Sequence, residues 1–173
     1  AESDFGWDIW LLRRGATTSR SPLVRTKANE DQPMFSPDGR TLAYVSDEGG
    51  QRQVYVRPFP EPGKRTQISA AGGTEPVWSR RGDELFFRNG QQYFSVPMVA
   101  GDSSRHGRSA LMFEGTFVVQ GDFPGAPSYG VAADGQRFIM VQRLADAPRP
   151  TRLDVVLNWV KDLESRTQPA GKR

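Results

Sequence analysis

Residues 33–46 of the chain read PMFSPDGRTLAYVS, and this stretch predicts a β-hairpin. Pro37 presets the backbone for a turn, Asp38 bonds readily to nearby backbone groups, and Gly39 tolerates a positive φ angle. After the turn, Leu42 and Tyr44 alternate with Ala43 and Val45, as in a β-strand with at least one buried face. This pair of short strands is the unit from which we predict the rest of the fold.

The hairpin pattern returns twice along the chain. Residues 76–87, PVWSRRGDELFF, repeat it 43 positions later, and residues 129–140, YGVAADGQRFIM, repeat it more loosely a further 53 positions on. The stretches between the copies predict further strands in a constant order, so that each unit has four strands. A repeat of about 40–50 residues with four strands per unit is typical of a β-propeller.

We therefore predict an all-β propeller segment of about three to four four-stranded antiparallel blades over residues 1–166. Its predicted parts are a partial blade at 1–28, blades at 29–72 and 73–115, a last blade at 116–158, a short terminal helix at 158–166 and a disordered tail at 167–173. Propellers have about four to eight blades. We expect this chain to be the C-terminal part of a larger propeller, the alternative being a small propeller whose partial blades combine.

The repeat also assigns roles to individual motif residues. The residue before the hairpin turn, which is Phe35, Trp78 or Val131 in the successive copies, is expected to pack between blades. The turn residues are expected to shape hairpins and do nothing more; they are Asp38, Gly39, Gly82, Asp134 and Gly135.

Composition excludes several classes of function. The net charge is +3, but basic and acidic residues alternate, so we expect no nucleic-acid partner. Cysteine is absent, which excludes disulfide scaffolds and thiolate chemistry. The single histidine, His106, lies in a predicted polar loop at 101–107 without partners at ligand spacing, so no metal or cofactor is expected. No apolar run is long enough to insert in a membrane.

No residue set resembles a catalytic centre. There is no Gly-x-Ser-x-Gly motif, and the protein-kinase motifs are missing from this chain. The carboxylates at 30–31, 47–48 and 83–84 are neighbours in sequence, which does not show that they face one substrate. We therefore expect the chain not to be an enzyme, although a catalytic domain upstream is compatible with this. The alternatives are a propeller-based hydrolase or lyase, and the accessory propeller of a peptidase.

The stretch from Phe35 to Gly39, with Leu42-Ala43-Tyr44, resembles the WD40-like PD40 repeat of TolB-like propellers. Residues 54–60, 67–69, 72–78 and 155–159 are similar to the C-terminal end of PD40 propellers that follow a serine/threonine kinase domain in some bacterial proteins. Two copies depart from the repeat: the second has Arg80-Arg81-Gly82, and the third lacks Ser and Pro before Asp134. The resemblance implies a six-bladed propeller, and a location outside the cytoplasm, such as the periplasm.

In a propeller, the loop after the second strand and the connection between blades lie on one face. We predict that this face binds a protein or peptide partner, since mixed charge with aromatic residues suits such a partner better than a phosphate backbone. The chain would then be the sensory or scaffold part of a larger bacterial protein, and an incomplete propeller would also self-associate. The predicted binding residues are Glu30, Asp31, Asp47, Glu48, Arg52, Thr74, Glu75, Phe117 and Phe123.

Overall fold

A computed structural model describes residues 6–60, 63–119 and 126–142. Within these ranges all the regular elements are β-strands, and they pair in antiparallel sheets, so the predicted all-β fold class is confirmed. No helix in this part of the chain is long and apolar enough to cross a membrane. The end of the predicted last blade, beyond residue 142, the predicted terminal helix at 158–166 and the predicted tail at 167–173 lie outside the described residues.

The strands form four antiparallel sheets in chain order. The first sheet pairs β1 (Ile9–Arg13) with β2 (Ser19–Val24), and the last pairs β12 (Tyr129–Val131) with β13 (Phe138–Met140). The second has the strand order β3 (Glu30–Phe35), β4 (Thr41–Ser46), β5 (Gln53–Pro58) and β6 (Thr66–Gln67). The third contains β7 (Thr74–Trp78), β8 (Glu84–Asn89), β9 (Gln92–Val99), β10 (Asp102–His106) and β11 (Ala110–Glu114).

The third sheet corrects one sequence-based prediction. Residues 101–107 were expected to form a polar loop, but Asp102–His106 is strand β10. The reason is the length of β9: its first half pairs with β11 up to Ser95, and its free end at Met98 and Val99 pairs with β10. A strand that extends beyond the end of its partner has unpaired backbone N–H and C=O groups there, and these groups can pair with a further strand.

The three hairpin turns share one geometry. In each copy the glycine N–H donates to the carbonyl three residues earlier, at 2.8, 3.0 and 2.9 Å in chain order. Their φ angles are +69°, +74° and +70°, a region that favours glycine. The predicted turns are thus present in the strong copy and in both divergent copies; the glycines are Gly39, Gly82 and Gly135.

The second copy keeps its turn although Pro-Asp is replaced by Arg-Arg. In the first copy the Ser36 hydroxyl donates to Asp38 at 2.6 Å, and in the second the Ser79 hydroxyl donates to Asp83 at 2.7 Å. Both serine oxygens also accept a backbone N–H from the strand after the turn. The aspartate has moved to the other side of the glycine, and its contact with serine is retained.

Strand β4 is buried on both faces, because its sheet packs between the first sheet and the third sheet. Leu42 and Tyr44 pack with residues of β1, β2 and β5, whereas Ala43 and Val45 pack with residues of the third sheet, including Trp78. A third cluster joins the third sheet to β12 and β13; its buried members are Phe86, Tyr93 and Tyr129. Burying both faces of a sheet between neighbours is the arrangement that propeller blades require.

The residues before the turns differ in burial. Trp78 is buried between two sheets, and Val131 packs in the cluster around Tyr93, as expected for inter-blade residues. Phe35 remains partly exposed and packs against Phe59, with ring centroids 4.7 Å apart. The expectation for Phe35 is therefore wrong: it lies at the end of β3, beside the hairpin turn, and is 41% exposed.

Replacing Gly39 by Ala tests the hairpin turn. A Cβ at this position meets no atom within 4 Å, so the cost is the strain of a left-handed backbone, about 1–2 kcal/mol. Urea denaturation of the full chain should show this loss of stability. Gly49→Ala is the control, because a Cβ at Gly49 would meet only the Tyr55 hydroxyl, at 4.0 Å, and its φ angle is not positive; it should change stability by less than about 0.5 kcal/mol. Equal stabilities of the two variants would contradict the strain argument.

Candidate functional site

One position per repeat ties the second sheet to the third and the third sheet to the last. Gln32, Glu75 and Ser128 occupy equivalent positions, with sequence separations of 43 and 53 residues. The Gln32 Oε1 accepts the Glu75 backbone N–H at 2.6 Å, and the Glu75 Oε2 accepts the Ser128 backbone N–H at 2.8 Å. Gln32 and Glu75 both have positive φ angles, 52° and 56°. We call these three residues the inter-sheet row.

Glu75 is the most heavily bonded member of the row. Its Oε1 accepts from Arg88 at 2.6 Å, its Oε2 also accepts the Ser128 hydroxyl at 2.6 Å, and its carbonyl accepts the Tyr129 hydroxyl at 2.8 Å. Burial opposes ionisation and is the largest single influence on the carboxyl group. The hydrogen bonds from Arg88 and Ser128 together outweigh it, and the pKa of Glu75 lies below its ordinary value.

Asp31 forms a second buried ion pair, with Arg52. The Arg52 Nη2 donates to both carboxylate oxygens, at 2.7 and 2.8 Å. Burial raises the pKa of Asp31, and the attraction of Arg52 offsets it only in part. The net effect on the carboxyl pKa therefore differs between the two pairs: burial prevails for Asp31, and the hydrogen bonds prevail for Glu75.

Glu30 is buried without a basic partner. It accepts hydrogen bonds from the hydroxyls of Thr26, at 2.5 Å, and Ser46, at 3.4 Å. Its other contact is the Thr26 backbone N–H, at 3.3 Å. In residues 6–60, 63–119 and 126–142 no Lys, Arg or His nitrogen lies within salt-bridge distance of Glu30.

The remaining predicted binding residues have varied surroundings. Asp47 accepts the backbone N–H and side-chain amide of Asn29, at 2.8 and 2.7 Å, and these bonds hold the pKa of Asp47 low. Glu48 is exposed and pairs with Arg65, and the Thr74 hydroxyl donates to a backbone carbonyl of β8 at 3.4 Å. Phe117 packs edge-on against an aromatic ring of β9, with centroids 5.9 Å apart. Phe123 lies outside the described residues. As a binding set, these residues remain a prediction.

An apolar groove runs along the first strands of the second and third sheets. Its volume is about 560 Å³, and we call it the inner groove. Apolar side chains make most of its surface, and the charged groups among its lining residues are all carboxylates. The apolar lining includes Trp7, Trp10, Pro33, Met34, Pro76 and Pro127, and the carboxylates belong to Asp8, Glu30 and Asp31.

A second depression, of about 340 Å³, lies between the ends of the second and third sheets. We call it the polar basin, because amides, two guanidinium groups and glycine backbone line it. Gln32 lines both depressions and so lies between them. The side chains of the basin are those of Gln32, Gln51, Arg52, Thr74, Arg88 and Asn89.

Sequence reasoning missed several of these residues. Gln32 and Ser128 were not selected, although they occupy the same register position as Glu75 in the repeat. Trp7 and Trp10 precede the first copy of the hairpin and carried no motif. Aligning the three copies position by position would have revealed the inter-sheet row; nothing local in the sequence marks the two tryptophans.

The described residues contain no group of three or more His, Asp or Glu side chains placed to hold a metal ion. No protein-family model matches the chain.

The architecture, a series of antiparallel sheets packed face to face, is that of a β-propeller. The chain resembles the crystal structure of TolB from Acinetobacter baumannii, with a TM-score of 0.52 and 16% sequence identity, over 74% of this chain and 30% of that one. The fold is therefore a TolB-like β-propeller fold, as the sequence predicted. Among the described residues the sheets have two, four, five and two strands in chain order, and the number of blades stays a prediction.

Part of the chain is also similar in sequence to a protein that is named as a peptidase. Over 81 residues the chain is 35% identical to the uncharacterized peptidase YuxL of Bacillus subtilis (strain 168). The match spans 45% of this chain and 12% of that protein. This finding contradicts the expectation that the chain is not an enzyme, because part of its sequence is shared with a protein named as a peptidase, and we withdraw that expectation.

Glu75→Gln tests the inter-sheet row and its pH dependence. The variant should lose about 3 kcal/mol of stability at pH 7, since Arg88 is left without its buried counter-ion. The folded-state pKa of Glu75 lies below 4.5, so ionised Glu75 stabilises the fold above that pH. This contribution is lost as the pH falls through the lowered pKa, and the variant and the unmodified chain should then converge.

Urea denaturation across this pH range provides the measurement for both proteins. Glu48→Gln is the control, because it breaks only an exposed ion pair, worth at most about 1 kcal/mol. A Glu75→Gln difference that stays constant with pH would show that the Glu75 carboxylate is not the group that titrates.

Proposed function

We propose that the inner groove binds an extended segment of a protein or peptide partner. The observation that supports this most directly is the exposure of two tryptophans in one groove: Trp7 is 46% exposed and Trp10 is 44% exposed. Large aromatic side chains at a concave surface are frequent anchors in protein interfaces. The TolB-like fold, a scaffold of rigid sheets, is consistent with this role.

The groove is built on fixed backbone. The backbone of Trp7 makes two hydrogen bonds. Its backbone N–H donates to the Asn29 Oδ1 at 3.3 Å, and its carbonyl accepts the Glu30 backbone N–H at 2.6 Å. Pro33 and Pro76 belong to β3 and β7, the edge strands of their sheets. The backbone of this surface is already held by hydrogen bonds, at Trp7 and in the paired strands of the walls. Little backbone entropy is then lost when a ligand binds, which favours affinity.

The edge strands also determine the mode of binding. Proline has no N–H to donate, so Pro33 and Pro76 interrupt the row of donors that an added strand would need. We therefore expect recognition through side chains on an extended or polyproline-like segment, and not through strand addition. Asp8 and Asp31, which line the groove, are paired with Arg25 and Arg52. The third carboxylate, Glu30, has no basic partner among the described residues, and its charge favours a segment that carries a basic side chain.

Three finer points are part of the proposal, and they rest on the sequence resemblance. The chain would complete a six-bladed propeller in its full context. It would serve as the C-terminal sensory or scaffold part of a larger bacterial protein, such as a serine/threonine kinase. It would act outside the cytoplasm, for example in the periplasm.

A second candidate follows from the similarity to the uncharacterized peptidase YuxL. In this case the propeller would be part of a peptidase, and the inner groove would hold a peptide substrate. The two candidates share the ligand class and differ in its fate. Mass spectrometry of peptides incubated with the full chain separates them: cleaved peptides favour the peptidase, and peptides recovered bound and intact favour the interaction module.

Alanine replacement of the tryptophans tests the groove. Peptides selected from a random phage-displayed library on the full chain should bind Trp7→Ala and Trp10→Ala at least about 10-fold more weakly, since buried tryptophan anchors contribute about 2 kcal/mol or more. Fluorescence anisotropy of labelled peptides gives the affinities. Leu111→Ala is the matched control, because Leu111 is 49% exposed and lies outside the groove.

Unchanged affinity in both tryptophan variants would overturn the proposal that the inner groove is the binding site. A loss of affinity in the Leu111 variant equal to that in the tryptophan variants would do the same, because it would move the ligand to the third sheet.

A further inference from the structure

The polar basin has a layered charge distribution. The guanidinium groups of Arg52 and Arg88 line it, and their side chains are 33% and 12% exposed. Their counter-ions, Asp31 and Glu75, are more deeply buried in both pairs and do not line the basin. Positive charge therefore lies nearer to the basin than the negative charge that balances it, which favours an anion there.

The geometry of the Asp31–Arg52 pair leaves donors unused. Its two short contacts both come from one nitrogen, Nη2, whereas the common two-pronged pairing uses two nitrogens of the guanidinium. Within the described part of the chain, Nε and Nη1 of Arg52 make no hydrogen bond. Arg52 is thus a fixed cation with an open edge of N–H donors beside a cavity.

The walls of the basin are held in place. The amides of Gln51 and Asn89 both donate to the Ala71 carbonyl, at 3.1 and 2.9 Å. Gly72 lies between these amides: a Cβ there would lie 2.8 Å from the Gln51 Nε2 and 3.1 Å from the Asn89 Oδ1. The Arg88 Nη1 donates to the Gly90 carbonyl at 3.1 Å, which fixes the second guanidinium.

We propose that the polar basin is an oxyanion-binding site, in which the open edge of Arg52 donates to the anion and Arg88 adds positive charge behind it. The chemical class is a carboxylate or a phosphate, because planar guanidinium donors fit both. This inference does not depend on ligand binding in the inner groove, whose lining carboxylates repel anions.

Nuclear magnetic resonance titration of the isotopically labelled full chain tests the proposal. Sodium acetate and sodium phosphate serve as the two probes, at constant ionic strength maintained with sodium chloride. Saturable shifts of the amide signals of Gly72, Gly73 and Thr74 are expected with one or both probes. Saturation with acetate alone identifies a carboxylate site, and saturation with phosphate alone identifies a phosphate site.

Two variants provide the decisive comparison. Arg52→Lys keeps a charge for Asp31 but loses the open edge, and it should bind about tenfold more weakly. Gln51→Glu places a negative charge at the exposed rim in exchange for the amide that donates to the Ala71 carbonyl, and it should abolish saturation. Arg81→Lys is the control, because Arg81 is 78% exposed, pairs with Asp83 and does not line the basin.

Linear shifts with both probes in the unmodified chain would overturn the proposal. Unchanged affinity in Gln51→Glu would also overturn it, and this variant decides the question even if Arg52→Lys does not fold. Equal weakening in Arg81→Lys would show that the response is a general effect of surface charge.

Discussion

The structure depends on a hydrogen bond that recurs between successive repeats, from a backbone N–H of one repeat to a side-chain oxygen of the repeat before it. Gln32 accepts this bond from Glu75, and Glu75 accepts it from Ser128. A buried backbone N–H must find a partner, and here the partner lies in the neighbouring sheet. The bond therefore sets the relative position of the inner strands, and with them the walls of both depressions.

The two depressions are linked by a single ion pair. Asp31 lines the inner groove and Arg52 lines the polar basin, and the two side chains meet between them. One side of the pair therefore presents a carboxylate to an apolar groove, and the other presents a guanidinium to a polar cavity. A buried ion pair is a modest source of stability, because desolvation offsets its attraction. Its clearer effect here is to give two adjacent surfaces opposite electrostatic character.

The sequence predicted the fold well, because hairpin turns are local. Gly39, Gly82 and Gly135 take positive φ angles wherever the repeat places them, even where Pro-Asp has been lost. The surroundings of the candidate site were harder to predict. Glu30, Asp31 and Glu75 were selected as residues of a loop-built face, but all three are buried. Arg88 pairs with Glu75 across the β7–β8 hairpin, and Arg52 pairs with Asp31 from β3 to the loop before β5; which side chains meet depends on the exact strand register, which the repeat pattern does not specify.

The inter-sheet row has a consequence for how such a protein can grow. Glu75 makes both halves of the connection: its carboxylate accepts from the unit after it, and its backbone N–H donates to the unit before it. Duplication of the gene segment that encodes this repeat would therefore insert a unit already able to join both neighbours. Ring size in this architecture is then constrained by the angle between sheets, because the backbone N–H can donate either to an amide oxygen, as in Gln32, or to a carboxylate, as in Glu75.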